Sequence, residues 1–243
     1  MTERVRTGPR KVNRDFLAHA YGLIPRLETG LSQFDALLRW TAGPVIAGIK
    51  PAALVRLPWK LVEDVREEGG TELCRTLNLS VLKLREGVTG TLTLLYRQRI
   101  LTRKVSTGAG ARYLRALGYP GGPYLEGYLS FLKERFEEPA FPHEVGIFLG
   151  YPLEDVISFS TGKSSPHNCR GYWQVYGRPE KAERTFAYMD AARLNLVKEI
   201  FTGNTGVNAK AAGGMPENIK PSSTGITATS LGNFRDLIRR RVI

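Results

Sequence analysis

The sequence predicts an α+β fold, in which helices pack on a small antiparallel or mixed sheet within a single main domain. Three observations favour it: several stretches with apolar residues at helical spacing, β-rich runs joined by a turn, and a globular composition. The 243 residues are 42% hydrophobic and 24% charged, which excludes a collagen-like or wholly disordered chain. A chain of this length buries enough surface to fold without disulfide bonds or a structural metal.

The first half of the chain is expected to form two helices, a strand and a β-hairpin. Phe34, Leu37 and Leu38 share one helical face. That helix should end before the Gly43-Pro44 pair, because both residues weaken helices. The predicted elements are this helix, a strand over residues 53–57, a helix over residues 59–77 that weakens at residues 69–70, and a hairpin of strands 79–84 and 91–96.

The second half is expected to be mostly helical. Pro142 and Pro152 suit first helical turns and Gly150 suits a left-handed helix end, so residues 141–159 should form two short helices in tandem. The predicted elements are helices over residues 100–117 and 123–136, this tandem pair, a strand over residues 172–176 and a long helix that opens at residue 179.

Composition and charge divide the chain into three parts: a basic flexible arm (1–14), the folded domain (15–201), and a Gly/Ser/Thr-rich linker with a short basic helix (202–243). Residues 1–14 carry five basic side chains and one acidic one, and residues 202–243 carry six and two, within a net charge of +12. Basic tails attract phosphate backbones without reading base sequence. The same charge also keeps a protein soluble.

The sequence shows no targeting or membrane signal. The N-terminal residues lack the apolar run of a secretory signal, and no window approaches the ~18 uninterrupted apolar residues of a membrane span. Cys74 and Cys169 lie far apart, which is not the pattern of a disulfide framework. We therefore expect a cytoplasmic protein.

The densest run of chemically useful side chains lies at residues 141–156. Two predicted helix N-termini present free backbone N–H groups there, and such groups favour an anion. His143 could bind a ligand or transfer a proton near neutral pH, with Glu144 orienting it. The alternative is structural, because acidic residues in a first turn complement the helix dipole and a histidine beside a proline is a cap or surface residue.

Cys169 is the candidate for a reactive side chain. It lies close in sequence to Lys163, His167 and Arg170, and positive neighbours lower the pKa of a thiol. It could act as a nucleophile with His143 as base, or as a thiolate metal ligand. The alternative is a partly buried small residue beside a strand. The common nucleotide-binding loops and the zinc-protease motif are absent from the sequence, so no cofactor is identified.

Two segments carry a family resemblance: FPHEVGIFLGYPLEDV at residues 141–156 and CRGYWQVY at residues 169–176. With weaker matches elsewhere between about residues 34 and 188, the chain resembles a bacterial family catalogued as domain of unknown function 3793. Gln174 departs from the lysine that this family tends to carry. Since the family has no established activity, the resemblance implies a soluble bacterial protein with a site built from loop and cap residues.

The leading hypothesis is a protein that binds a small anionic ligand, a metal or a metal-bearing cofactor. Its site would centre on His143, Glu144 and Cys169, with His167 as a further metal ligand. The expected ligand-binding side chains are Lys50, Arg97, Tyr151, Asp155 and Trp173. Two alternatives stand beside it: an enzyme with Cys169 as nucleophile and His143 as base, and an interaction or nucleic-acid module that acts through the basic tails.

Overall fold

The structure is a computed structural model that describes residues 31–59, 70–162 and 169–202. Within these ranges the chain forms eight helices and five strands, so the α+β prediction is confirmed. The helices are α1 (Leu31–Ile46), α2 (Gly70–Thr76), α3 (Gln98–Ser106), α4 (Gly108–Ala116), α5 (Leu125–Glu137), α6 (Val145–Phe148), α7 (Leu153–Ser160) and α8 (Pro179–Thr202). The strands are β1 (Ala52–Leu57), β2 (Ser80–Gly87), β3 (Gly90–Tyr96), β4 (Cys169–Arg170) and β5 (Gln174–Val175).

A three-stranded antiparallel sheet in the order β1-β3-β2 lies at the centre of the described fold. The predicted hairpin is confirmed, with Gly87 opposite Gly90 across a two-residue turn. Nearly every residue of β1 and β3 is buried, whereas β2 is mostly accessible. A strand whose two faces are both buried needs cover on each side, so helices pack on both faces of this sheet.

The two faces of the sheet belong to two apolar cores. Ala52 and Leu54 of β1 point into a core that also holds apolar residues of α3 to α7. Ala53 and Val55, which alternate with them, point into a second core shared with α1 and the end of α2. Helix α8 packs along α1, and β4 and β5 form a separate two-stranded antiparallel hairpin.

Helix α1 does not end where the sequence predicts. It continues through Gly43 and Pro44 to Ile46. A Cβ atom at Gly43 would lie 3.3 Å from the Cγ atom of Arg193, so the glycine allows α8 to approach α1 closely. Pro44 lies within the last turn, where it removes the hydrogen bond that an N–H would donate to the carbonyl four residues earlier, and the packing of the two helices outweighs this loss.

The predicted helix over residues 100–117 is two helices. They meet at Thr107, and Gly108 has φ of +74°. A positive φ is incompatible with a continuous right-handed helix, so the chain breaks there and starts α4.

The tandem helices are confirmed as α6 and α7, with Gly150 at φ +86° between them and Pro152 at the N-cap of α7. Helix α8 begins at Pro179, as predicted. Most of the predicted arm, linker and C-terminal helix, and residues 60–69 of the predicted helix 59–77, lie outside the described residues. No helix of the described ranges has the length and apolar character needed to cross a membrane.

Candidate functional site

Two turns of the chain meet where Gly150 packs against Pro51. A Cβ atom at Gly150 would lie 2.6 Å from the Cδ atom of Pro51, and the residue has φ of +86°. Glycine is therefore required here both for its backbone conformation and for the close approach. The contact brings together the sequence neighbours of these two residues, Lys50 and Tyr151.

Lys50 lies at one end of an aromatic stack. Its Nζ atom is 5.2 Å from the centroid of the Tyr151 ring. The Tyr151 ring stacks on Trp173 with 4.8 Å between centroids and 27° between planes. Trp173 also contacts Phe186 edge-to-face, with 4.5 Å between ring centroids. The stack thus runs from the turn before β1, through the β4–β5 hairpin, to α8.

Asp155 fixes the position of Trp173. This carboxylate is 3% exposed and lies in the first turn of α7. It accepts hydrogen bonds from the Trp173 indole Nε1 at 2.8 Å and from the backbone N–H groups of Tyr176 at 2.7 Å and Gly177 at 2.9 Å. Such charge-assisted bonds satisfy a buried carboxylate. Asp155 was predicted as a ligand-binding residue, and its contacts make it an anchor for the hairpin.

Arg193 of α8 supplies a second cation that the sequence reasoning missed. Its guanidinium carbon lies 4.7 Å from the Tyr172 ring and 5.7 Å from the Trp40 ring. Its Nη1 donates a hydrogen bond to the Tyr172 hydroxyl at 3.0 Å, and that hydroxyl also bonds to the carboxylate of Asp190. The Arg193 Nε is buried without a hydrogen-bond partner in the described part of the chain. Only the pairing of α8 with α1 reveals this residue.

The electrostatics of the site disfavour an unneutralised charge on Lys50. Burial, and then the positive charge of Arg193, lower the pKa of Lys50 from 10.5 to about 7. Burial raises the pKa of Tyr151 to about 12, with Arg193 opposing, so its hydroxyl stays protonated at neutral pH. The Lys50 ammonium makes no hydrogen bond or ion pair with a described residue. The Lys50 ammonium therefore has no counterion among the described residues, whereas Arg193 shares the Tyr172 hydroxyl with the Asp190 carboxylate.

Arg97 lies beside the turn that precedes β1. Its backbone N–H donates to the carbonyl of Pro51 at 3.0 Å, and its Nη1 would be 3.6 Å from a Cβ atom at Gly48. Its Nε is buried without a hydrogen-bond partner in the described ranges. Arg97, which the sequence analysis lists with Lys50 as a ligand-binding residue, therefore borders the same turn as Lys50.

Glu144 has a different environment from the one expected. This buried carboxylate accepts hydrogen bonds from Arg135 Nε at 3.0 Å and from the Tyr119 hydroxyl at 3.2 Å. Burial, followed by the charge of Glu144, raises the pKa of Tyr119. The hydrogen bond that Arg135 donates to Glu144 is the main reason why the pKa of Arg135 is raised. Glu144 therefore links α6 to α5, and none of its described hydrogen bonds goes to His143.

His143 is exposed and packs between two phenylalanine rings. The centroid distances are 5.7 Å to Phe141 and 4.9 Å to Phe159. No described hydrogen bond joins His143 to Cys169. The pair of Cys169 and His143 in the enzyme hypothesis stays a prediction. So does the metal set of the leading hypothesis, which adds His167, a residue outside the described ranges. Among the described residues, no three His, Cys, Asp or Glu side chains form a group that could hold a metal ion.

Cys169 lies in an environment that opposes the thiolate. It pairs with Val175 across the β4–β5 hairpin and packs beside the small core that contains Phe186. Burial raises the pKa of its thiol, and the carboxylates of Glu183 and Asp155 raise it further. The pKa of this thiol is therefore raised and not lowered as expected, because burial and the carboxylates of α7 and α8 disfavour the thiolate; Lys163 and His167 lie outside the described residues.

A family model described as "Protein of unknown function (DUF3793)" matches residues 38–208, which is more than half of the chain. No curated protein and no solved structure matches the sequence significantly.

Proposed function

From the premise that this chain belongs to the DUF3793 family, as the resemblance predicted, we propose that it binds a small anion between Lys50, Tyr151 and Arg193. One observation carries the proposal. The ammonium of Lys50 is partly buried beside a second cation and has no described counterion. A buried charge is costly unless it is paired, so an arrangement of this kind is favoured when a ligand supplies the missing negative charge.

The three side chains offer complementary donors. Lys50 contributes an ammonium, Arg193 a guanidinium with a buried unsatisfied Nε, and Tyr151 a hydroxyl that stays protonated at neutral pH. Ammonium and guanidinium groups form their strongest hydrogen bonds with carboxylate and phosphate oxygens. The ligand class is therefore a small oxyanion that carries a carboxylate or a phosphate group.

The surroundings hold these donors in place before a ligand arrives. The Tyr151 ring is stacked on Trp173, and Asp155 holds that indole. The guanidinium of Arg193 lies over the ring of Tyr172 and bonds to its hydroxyl. Preorganised donors lose less entropy on binding.

Isothermal titration of the full chain with sulfate tests this proposal. Sulfate is a phosphate analogue whose charge does not change between pH 6 and pH 9, and acetate in a parallel titration tests the carboxylate arm. We expect binding at pH 6 that weakens by up to about tenfold for each pH unit above 7, because Lys50 loses its proton there. Burial raises the pKa of Tyr151, which also faces Lys50, to about 12, so its hydroxyl stays protonated across this range.

The matched variants are Lys50→Met and Lys104→Met. Lys104 lies in α3, is partly buried, and also has a pKa lowered by burial, but it is outside the site. We expect Lys50→Met to abolish sulfate binding and Lys104→Met to retain it. Equal affinities in the two variants, or an affinity that does not change between pH 6 and pH 9, would refute the proposal.

A further inference from the structure

A second positive surface lies on α3 and α4, apart from the anion site. Residues 87–125 contain six basic residues and no acidic residue, although the whole chain has 23 acidic residues. The six are Arg97, Arg99, Arg103, Lys104, Arg112 and Arg115. Charge of one sign is therefore concentrated in one part of the folded domain, in addition to the basic tails.

The two helices turn their arginines outward. Leu101 of α3 and Leu114 of α4 point into the same apolar core, so the opposite sides of both helices face solvent. Arg99 and Arg103 lie four residues apart on α3, and Arg112 and Arg115 lie three residues apart on α4, which places each pair on one side of its helix. All four are exposed; we call them the α3–α4 basic surface.

These four arginines differ from the paired arginines of the described fold. None of them makes a side-chain hydrogen bond or an ion pair with a described residue, whereas Arg39, Arg75 and Arg135 each bond to a carboxylate. Lys181 of α8 is a further cation near Lys104 of α3. Burial is the main cause that lowers the pKa of Lys104, and the charge of Lys181 is the second. None of the four charges is thus neutralised by an ion pair with a described residue.

We propose that the α3–α4 basic surface binds the phosphate backbone of a nucleic acid without reading base sequence. Guanidinium groups match phosphate oxygens bidentately, and an unneutralised row of them releases counterions from a polyanion. A bilayer is the less suitable partner, because surface-bound helices insert apolar side chains. Here the large apolar side chains of α3 and α4 are buried or partly buried, so the two helices offer a bilayer only small alanines and Leu117, just after α4, which is 39% exposed.

The test is the salt dependence of binding to two 30-base-pair DNA duplexes of unrelated sequence, measured by fluorescence anisotropy with the full chain. The variant is Arg103→Gln/Arg112→Gln. Its control, Lys83→Gln/Lys133→Gln, removes the same charge from exposed positions of β2 and α5. We expect the slope of log affinity against log salt to fall by about 2 in the variant, equally for both duplexes, and to stay unchanged in the control.

Three results would overturn the proposal. Equal slope changes in the variant and the control would mean that net charge alone matters. If the salt slope changes in neither the variant nor the control, any DNA binding is due to the basic tails. If the double variant loses binding to vesicles of anionic phospholipid but still binds the duplexes as the native chain does, the partner of this surface is a membrane. Should the double variant fail to fold, the single variants Arg103→Gln and Arg112→Gln decide, with an expected slope change of about 1 each.

Discussion

Replacing Lys50 with methionine should stabilise the folded protein while it removes anion binding. Methionine has nearly the same length and an apolar thioether, so it can follow the Lys50 stem beside the Tyr151 ring without the ammonium. A substitution that raises stability and removes binding is typical of a residue kept for function at a cost in stability.

The size of the effect follows from the pKa of Lys50. Burial and then Arg193 lower it from 10.5 to about 7. The unfolded chain therefore binds more protons than the folded chain between these values, so stability rises with pH through this window. Without solvent screening, this pKa shift lowers the free energy of unfolding of the native chain by about 4 kcal/mol at pH 7 and about 2 kcal/mol at pH 9. Lys50 is only partly buried, so solvent screens part of this cost, and we expect gains of about 2 and about 1 kcal/mol.

Urea unfolding in an anion-poor buffer, followed by tryptophan fluorescence at pH 7 and pH 9, measures both gains. We expect Lys50→Met to unfold at higher urea than the native chain, with a larger difference at pH 7. A variant less stable than the native chain, or a gain that does not change with pH, would refute the reasoning, because the ammonium would then be stabilised by contacts within the fold.

Three further outcomes follow from the described contacts. Gly150→Ala should lower the free energy of unfolding by about 1–3 kcal/mol, because its Cβ atom would meet Pro51 at a positive φ; a loss below 0.5 kcal/mol in urea unfolding would contradict this. Asp155→Ala should cost about 2–4 kcal/mol, because three donors, including the Trp173 indole, lose their acceptor; unchanged tryptophan fluorescence and stability would show that other groups hold the hairpin. Iodoacetamide should alkylate Cys169 at pH 7 more slowly than it alkylates free cysteine, because the pKa of the thiol is raised, and Cys169→Ser should keep sulfate binding; rapid alkylation in mass spectrometry, or lost binding, would restore the thiolate hypothesis.

Local chemistry made parts of the fold predictable from the sequence. The hairpin and the tandem helices around Gly150 depend on turn residues and on glycine at a positive φ, and such signals lie within a few residues. The predicted end of α1 was wrong because the observed end depends on the packing of α1 against α8. Gly43 is buried against Arg193, a residue 150 positions later in the chain, and no local pattern carries that information.

The candidate site was likewise predictable only in part. Lys50, Tyr151 and Trp173 were named from their segments, and the fold brings them into one stack. Arg193 was missed because in the sequence it is one of many polar residues on a long helix. The contacts of Asp155 with the hairpin were not predicted, since a first-turn carboxylate gives no sign in the sequence of the donors that bind it in the fold.

The sequence hypothesis placed the chemistry on His143 and Cys169, and these residues have separate surroundings. His143 packs against the rings of Phe141 and Phe159, whereas Cys169 packs beside Phe186 and faces carboxylates of α8. The charge around the Cys169 thiol is set by the helices that pack against it, and its sequence neighbours do not reveal those helices.

The most direct measurement of the anion site is an NMR titration of Lys50 itself. In protein labelled with ¹³C-lysine, the ε-carbon resonance of Lys50 is assigned by its absence from Lys50→Met and followed with pH, with and without saturating sulfate. We expect a midpoint near pH 7 without sulfate and a clearly higher midpoint with it, because a bound anion favours the protonated amine. A midpoint near 10.5 without sulfate, or one that sulfate leaves unchanged, would contradict the existence of this site.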